Sequence, residues 1–129
     1  MKERLFISAF ILVYTFLLSI SSVTAENWVL IEDMGVGKVM MDADSIKEDR
    51  SSTVGAWIKI ISNIRSYADP KAVKEVVTYY EFDCKINVYR TKNPTYYFSD
   101  GSKEKTKETS SWESSEDSLT LTLKEYLCK

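Results

Sequence analysis

Residues 76–89, VVTYYEFDCKINVY, decide the fold. Val76, Thr78, Tyr80, Phe82, Cys84, Ile86 and Val88 share one parity, while Tyr79, Glu81, Asp83, Lys85, Asn87 and Tyr89 share the other. An apolar and a polar parity at a period of two mark an antiparallel sheet with one wet face. The run is about sixteen residues with its flanks, longer than an ordinary strand of roughly 3–10 residues. It therefore reads as two strands with a turn or bulge near residues 83–87. Cys84 falls on the apolar parity, so its partner should approach from the buried side.

Upstream, residues 53–62 alternate well, with Ala56, Ile58 and Ile60 on one face and Trp57, Lys59 and Ile61 on the other. Residues 27–31 (NWVLI) read as a buried strand bounded by acids. Gly35, Val36 and Gly37 supply a turn into a second strand at residues 38–41. Residues 42–46 (DADSI) form a polar turn, and 47–52 a solvated loop. Residues 66–74 contain Pro70 and read as a loop.

Downstream, residues 96–98 (YYF) form another strand, and Asp100-Gly101 is a favoured hairpin turn. Residues 103–111 (KEKTKETSS) read either as an exposed edge strand or as a loop, and lysine on an edge guards against sheet-to-sheet association. The last segment is two-sided. Residues 118–123 alternate as a strand would, yet Ser114 with Asp117 resembles a helix-start box. Leu119, Leu123, Tyr126 and Leu127 also share a helical face, with Leu121 outside it. A helix over residues 115–127 is the expectation.

The compartment is written at the front. Lys2 and Arg4 precede the apolar run 5–20 (LFISAFILVYTFLLSI), and Val23-Thr24-Ala25 offers a small-residue cleavage site before Glu26. The run is short for a membrane span, which needs roughly 17–25 residues. Residues 1–25 are thus expected to be a signal peptide and 26–129 one exported domain, with no integral span after cleavage. The first cysteine is Cys84, so no lipid-attachment cysteine follows the apolar run. Removing Lys2, Glu3 and Arg4 from 17 basic and 19 acidic residues leaves 15 and 18, a formal charge of −3. Such a balance gives no footprint for nucleic acid.

Cys84 and Cys128, an even pair in an oxidising compartment, read as a disulfide. Two free thiols or a metal pair are poorer readings, because the chain has no histidine and no further cysteine to complete a zinc site. Histidine-dependent catalysis is excluded for the same reason. The four glycines form no phosphate loop. Asp42 and Asp44 stand at DxD spacing, but the glycine and closing glutamate of a calcium loop are missing, and they read as turn-forming aspartates. Eighteen acids always offer carboxylate pairs, so pairing alone carries no glycosidase argument. No metal or cofactor is expected, and the chain reads as non-enzymatic.

The aromatic residues are the more informative population. Trp28, Trp57 and Trp112 with Tyr79, Tyr80, Tyr89, Tyr96 and Tyr97 should mostly fill the core. Tyr79 and Tyr89 share the polar parity with Lys85, which makes Tyr79, Tyr89 and Lys85 the candidate binding surface. Ordinary cross-strand pairing is the competing explanation.

The order of these pieces resembles the bacterial surface-adhesin protein E family. The features that carry the resemblance are Asn27-Trp28-Val29-Leu30 after the signal, the turn at residues 42–46 and the Trp57 strand. Tyr79-Tyr80-Glu81-Phe82-Asp83-Cys84-Lys85, Tyr96-Tyr97, Trp112 and Cys128 complete it. Glu81-Phe82-Asp83-Cys84 with the near-terminal cysteine is the most specific element. The resemblance implies an α+β fold: an antiparallel sheet of about six strands with a C-terminal helix on one face, Cys128 tied to Cys84. It also implies an adhesion module, periplasmic or on the cell surface, whose partners are extracellular or envelope proteins. The alternative is a periplasmic structural or assembly-support protein of the envelope.

Overall fold

The structure is a computed structural model that describes residues 26–34, 37–49, 52–63 and 69–129. The expected signal peptide and most of the expected turn at 35–37 lie outside these residues. So do residues 66–68 of the loop expected at 66–74, whose last two residues, Val73 and Lys74, belong to the strand that follows rather than to the loop.

Among the described residues the strands are β1 (Trp28–Asp33), β2 (Gly37–Asp42), β3 (Lys47–Glu48), β4 (Thr53–Ser62), β5 (Val73–Asp83), β6 (Val88–Phe98), β7 (Lys103–Lys105) and β8 (Glu113–Ser114). They form one antiparallel sheet in the order β1-β2-β4-β5-β6-β7, with β3 and β8 beside that path, accompanied by a 3-10 turn at Ala43–Ser45 and one α-helix. The helix α1 spans Ser118–Leu127. The expected count of about six matches the six strands of the main path.

The longest pair of the sheet is the β5–β6 hairpin, with its turn where the sequence placed it. Asp83 closes that turn: its carbonyl accepts from Asn87 N at 3.0 Å and its carboxylate from Lys85 N at 3.0 Å. Asn87 adopts φ 58°, a left-handed conformation that asparagine tolerates. Residues 96–98 are not a separate strand but the far end of β6. Asn93 (φ 52°) and Pro94 form a bulge in β6, two residues against Thr78, and the register slips between Val77 and Tyr79. At the slip, Thr78 Oγ1 donates to the Lys92 carbonyl at 3.0 Å, satisfying a group that the ladder misses.

Two other expectations need correction. Residues 27–31 form an edge strand rather than a buried one, with Val29 and Leu30 exposed, because β1 pairs with β2 alone. Residues 47–52 are not all loop, since Lys47 and Glu48 pair with Gly55 and Val54. The charged segment 103–111 begins as the short edge strand β7, of the kind that lysines protect.

The core lies between the sheet and α1. Val39, Met41, Val54, Ala56, Ile58, Tyr80 and Phe82 project from one face and meet Leu123 and Leu127. Cys84 and Cys128 are disulfide-bonded with Cα atoms 5.5 Å apart, tying the end of β5 to the end of α1. The helix starts later than expected. Asp117 is its N-cap, accepting from Thr120 N at 2.8 Å, so Asp117 is the cap itself rather than the third residue of a box begun at Ser114. Thr120, Leu123 and Leu127 are the buried stripe, and Tyr126, placed on it by the sequence pattern, is exposed.

Burial of Tyr80 gives a testable pH dependence. Desolvation, with Tyr89 and Asp117 adding, pushes its hydroxyl up to about 12. The folded state thus holds a proton that an unfolded tyrosine releases near pH 10, so stability should fall as pH rises from 10 through 12. A two-unit shift corresponds to roughly 2–3 kcal/mol. Urea midpoints at pH 9 and pH 11.5 should show this loss, and Tyr80→Phe should remove that part of the dependence. An equal loss in Tyr80→Phe contradicts the assignment.

Candidate binding face

The face of the sheet turned away from α1 carries a different set of side chains. Register places Trp57 opposite Tyr79, and their rings meet edge-on with centroids 5.6 Å apart at 68°. Gly55 lies on the same face, two residues before Trp57. A Cβ there would collide with the Tyr79 hydroxyl and ring. A glycine inside a strand is therefore what lets the tyrosine lie flat across β4.

Farther along, Glu81 is held by two cations. Arg90 Nε donates to its Oε1 at 2.7 Å, and Lys92 Nζ to its Oε2 at 3.0 Å. The Arg90 guanidinium also stacks 4.4 Å from the Trp112 ring centroid. Toward the β1 edge, Lys59 Nζ lies 4.1 Å over the Trp28 ring and 3.6 Å from Glu75. Exposed ring–cation contacts contribute roughly 0.5–1 kcal/mol each. They hold long side chains in place on a solvated surface.

Two hollows adjoin these groups. One, about 490 Å³, is lined by Glu81, Arg90, Lys92, Trp112 and exposed Ile86. The other, about 670 Å³, is lined by Glu26, Asp42, Asp44, Lys47, Trp57 and Tyr79. Its wall is fixed by a tight turn. Asp42 Oδ1 accepts from Asp44 N at 3.1 Å and Asn27 N at 3.2 Å. Ser45 Oγ donates to the Asp42 carbonyl at 2.7 Å and accepts from Trp57 N at 2.9 Å. Desolvation raises the Tyr79 hydroxyl above its ordinary pKa, and nearby Glu81 and Asp49 add to the effect.

The three residues expected to share a surface are not brought together. Tyr79 lies on the open face. Tyr89 lies on the helix face, its ring 6.0 Å from Tyr80 and 5.9 Å from Phe82, with its hydroxyl donating to Glu113 at 3.1 Å. Lys85 sits in the turn between them. The cause is the turn itself: residues 84–87 connect Asp83 to its partner Val88, and a four-residue link exchanges odd and even positions between faces. Ile86, on the expected apolar parity, is accordingly in the turn and 65% exposed.

The tryptophans expected mostly in the core prove to be surface features. Trp28 and Trp57 are half-buried on the open face, and Trp112 is exposed. Gly55, Glu81, Arg90 and Lys92 had no part in the expected surface. Among the described residues, no group of three or more histidines, cysteines, aspartates or glutamates is placed to hold a metal ion. No described helix is long and apolar enough to cross a membrane.

A sheet sealed on one side by a disulfide-tethered helix, with its other side bearing rings and paired charges, defines a small sheet-and-helix domain with one open face. The chain belongs to the surface-adhesin protein E family, whose model matches residues 28–129. No curated protein and no solved structure matches it significantly. Family membership makes it an adhesin-like surface protein.

Proposed function

We propose that residues 26–129, released from a signal peptide at residues 1–25, form a non-enzymatic adhesion module that binds extracellular or envelope proteins in the periplasm or at the cell surface. The observation that carries this reading is the two-sided sheet. One face is closed by α1 and the Cys84–Cys128 bond, and the other keeps Trp28, Trp57, Tyr79, Arg90 and Trp112 within reach of solvent. Tryptophan, tyrosine and arginine are the residue types that dominate binding energy at protein interfaces. Here they are held by cross-strand register, so little ordering is lost on contact. Lys85, in the exposed turn at one end of the sheet, sits at the border of this surface.

The reading is tested by immobilising matrix and envelope proteins and measuring retention of the folded domain. Saturable retention of at least one, reduced several-fold by Trp112→Ala, is the expected result. Retention of none counts against adhesion. Antibody access on intact cells separates surface display from the periplasmic support role. Signal loss until the outer membrane is opened favours the latter.

A further inference from the structure

We propose that the hollow beside Trp57 and Tyr79 receives the terminal cation of a lysine or arginine side chain projected by a partner protein. The inference rests on the reading of the domain as a protein-binding module, and it names the chemistry of one contact.

Charge selects the sign of the occupant. Among the described lining residues, Glu26, Asp42 and Asp44 face Lys47 alone, a net negative set. Glu26 and Asp42 accept hydrogen bonds, from Trp28 Nε1 at 2.7 Å and from backbone amides, which hold the two carboxylates in place. Asp44 is exposed at the rim. An anion would meet these carboxylates with only Lys47, among the described lining residues, to offset them.

The rings select a cation with an apolar stem. Trp57 and Tyr79 stand edge-to-face, so together they offer a π-face and an apolar wall. The same sheet uses this chemistry with its own rings, in Lys59 over Trp28 at 4.1 Å, Arg90 over Trp112 at 4.4 Å and, more loosely, Lys71 over Phe98 at 5.5 Å. Among the described residues, no lysine or arginine lies over Trp57 or Tyr79. The aromatic pair of β4 and β5 thus carries no cation from any described residue, and about 670 Å³ is ample for a lysine or arginine side chain. Gly55 keeps Tyr79 pressed to the sheet, which leaves the space above it open.

The test uses the isotope-labelled domain beginning at Glu26. It is titrated with Nα-acetyl-lysine methylamide, its arginine counterpart, and the uncharged norleucine analogue. The Trp57 indole resonance should shift saturably with both cations, and the shift should weaken with added salt. Asp44→Asn, an exposed change that leaves the fold intact, should weaken the response several-fold, and Trp57→Leu should abolish it. No shift overturns the proposal, whether the hollow holds nothing or the new amino terminus at Glu26 already fills it. An equal response to norleucine also overturns it. If immobilised proteins retain the domain and Asp44→Asn leaves retention unchanged, the proposal fails while the adhesion reading stands. If Trp57 responds but no protein is retained, the adhesion reading fails alone.

Discussion

Phe82→Ala should lower the unfolding free energy by about 3–5 kcal/mol, the usual range for emptying a large aromatic from a packed core. Phe82 is 1% exposed and sits where sheet, helix and disulfide converge. Its ring lies 6.3 Å from Tyr80 and 5.9 Å from Tyr89, and its strand position faces Val54. The neighbours on either side are fixed by strand pairing and by a covalent bond, so they have little freedom to collapse into the space. In a domain whose total stability is of the order of 5–15 kcal/mol, that loss is large. Equilibrium urea unfolding followed by circular dichroism gives the value. A cost below about 1 kcal/mol is inconsistent with a ring buried in this core.

Breaking the Cys84–Cys128 bond, by reduction or by replacing both cysteines with serine, should remove roughly 2–5 kcal/mol. The bond joins positions 44 residues apart. A loop of that length corresponds to about 4 kcal/mol of denatured-state entropy in the chain-entropy model. The folded state should show the loss locally as well. The helix has ten residues, too few to persist in water without tertiary support. What remains after reduction is the burial of Thr120, Leu123 and Leu127 against the sheet. Amide exchange in α1 should therefore accelerate before that in β4 and β5. An unchanged melting temperature after confirmed reduction contradicts the staple. Uniform acceleration across the domain contradicts the local release.

The alternating runs made the main sheet legible, because a half-solvated antiparallel strand writes its two environments directly into the sequence. Strand β4 and the two arms around residues 83–87 were readable on that basis, as was the face of Cys84. The position of Tyr89 was not. Parity carries across a connection only when the number of linking residues is known, and nothing local fixed it at four. Asp83 and Asn87 mark the place of the turn, a carboxylate able to close it and a residue tolerant of left-handed backbone four positions on, but they do not by themselves set how many residues it holds. The helix start slipped for a related reason, since Ser114 and Asp117 both suit a cap and only tertiary placement chose between them.

The open face was harder to foresee because its groups come from different strands. Trp57 with Tyr79, Glu81 with Arg90 and Lys92, and Arg90 with Trp112 are cross-strand or loop-to-strand neighbours whose meeting depends on register. Hydrophobicity alone sends a tryptophan inward. Gly55 was the available clue, since a glycine amid β-branched residues marks a place where another group comes close.

The covalent link between the end of β5 and the end of α1 also decides how the domain responds to being pulled. Tension applied at Lys129 reaches β5 through two sulfur atoms and bypasses everything from Lys85 to Leu127. About 150 Å of contour that those residues could otherwise pay out stays locked. A molecule gripped at its tail in flowing liquid would transmit load to its central strands without lengthening by that amount, and reducing agents would turn the same stretch into slack.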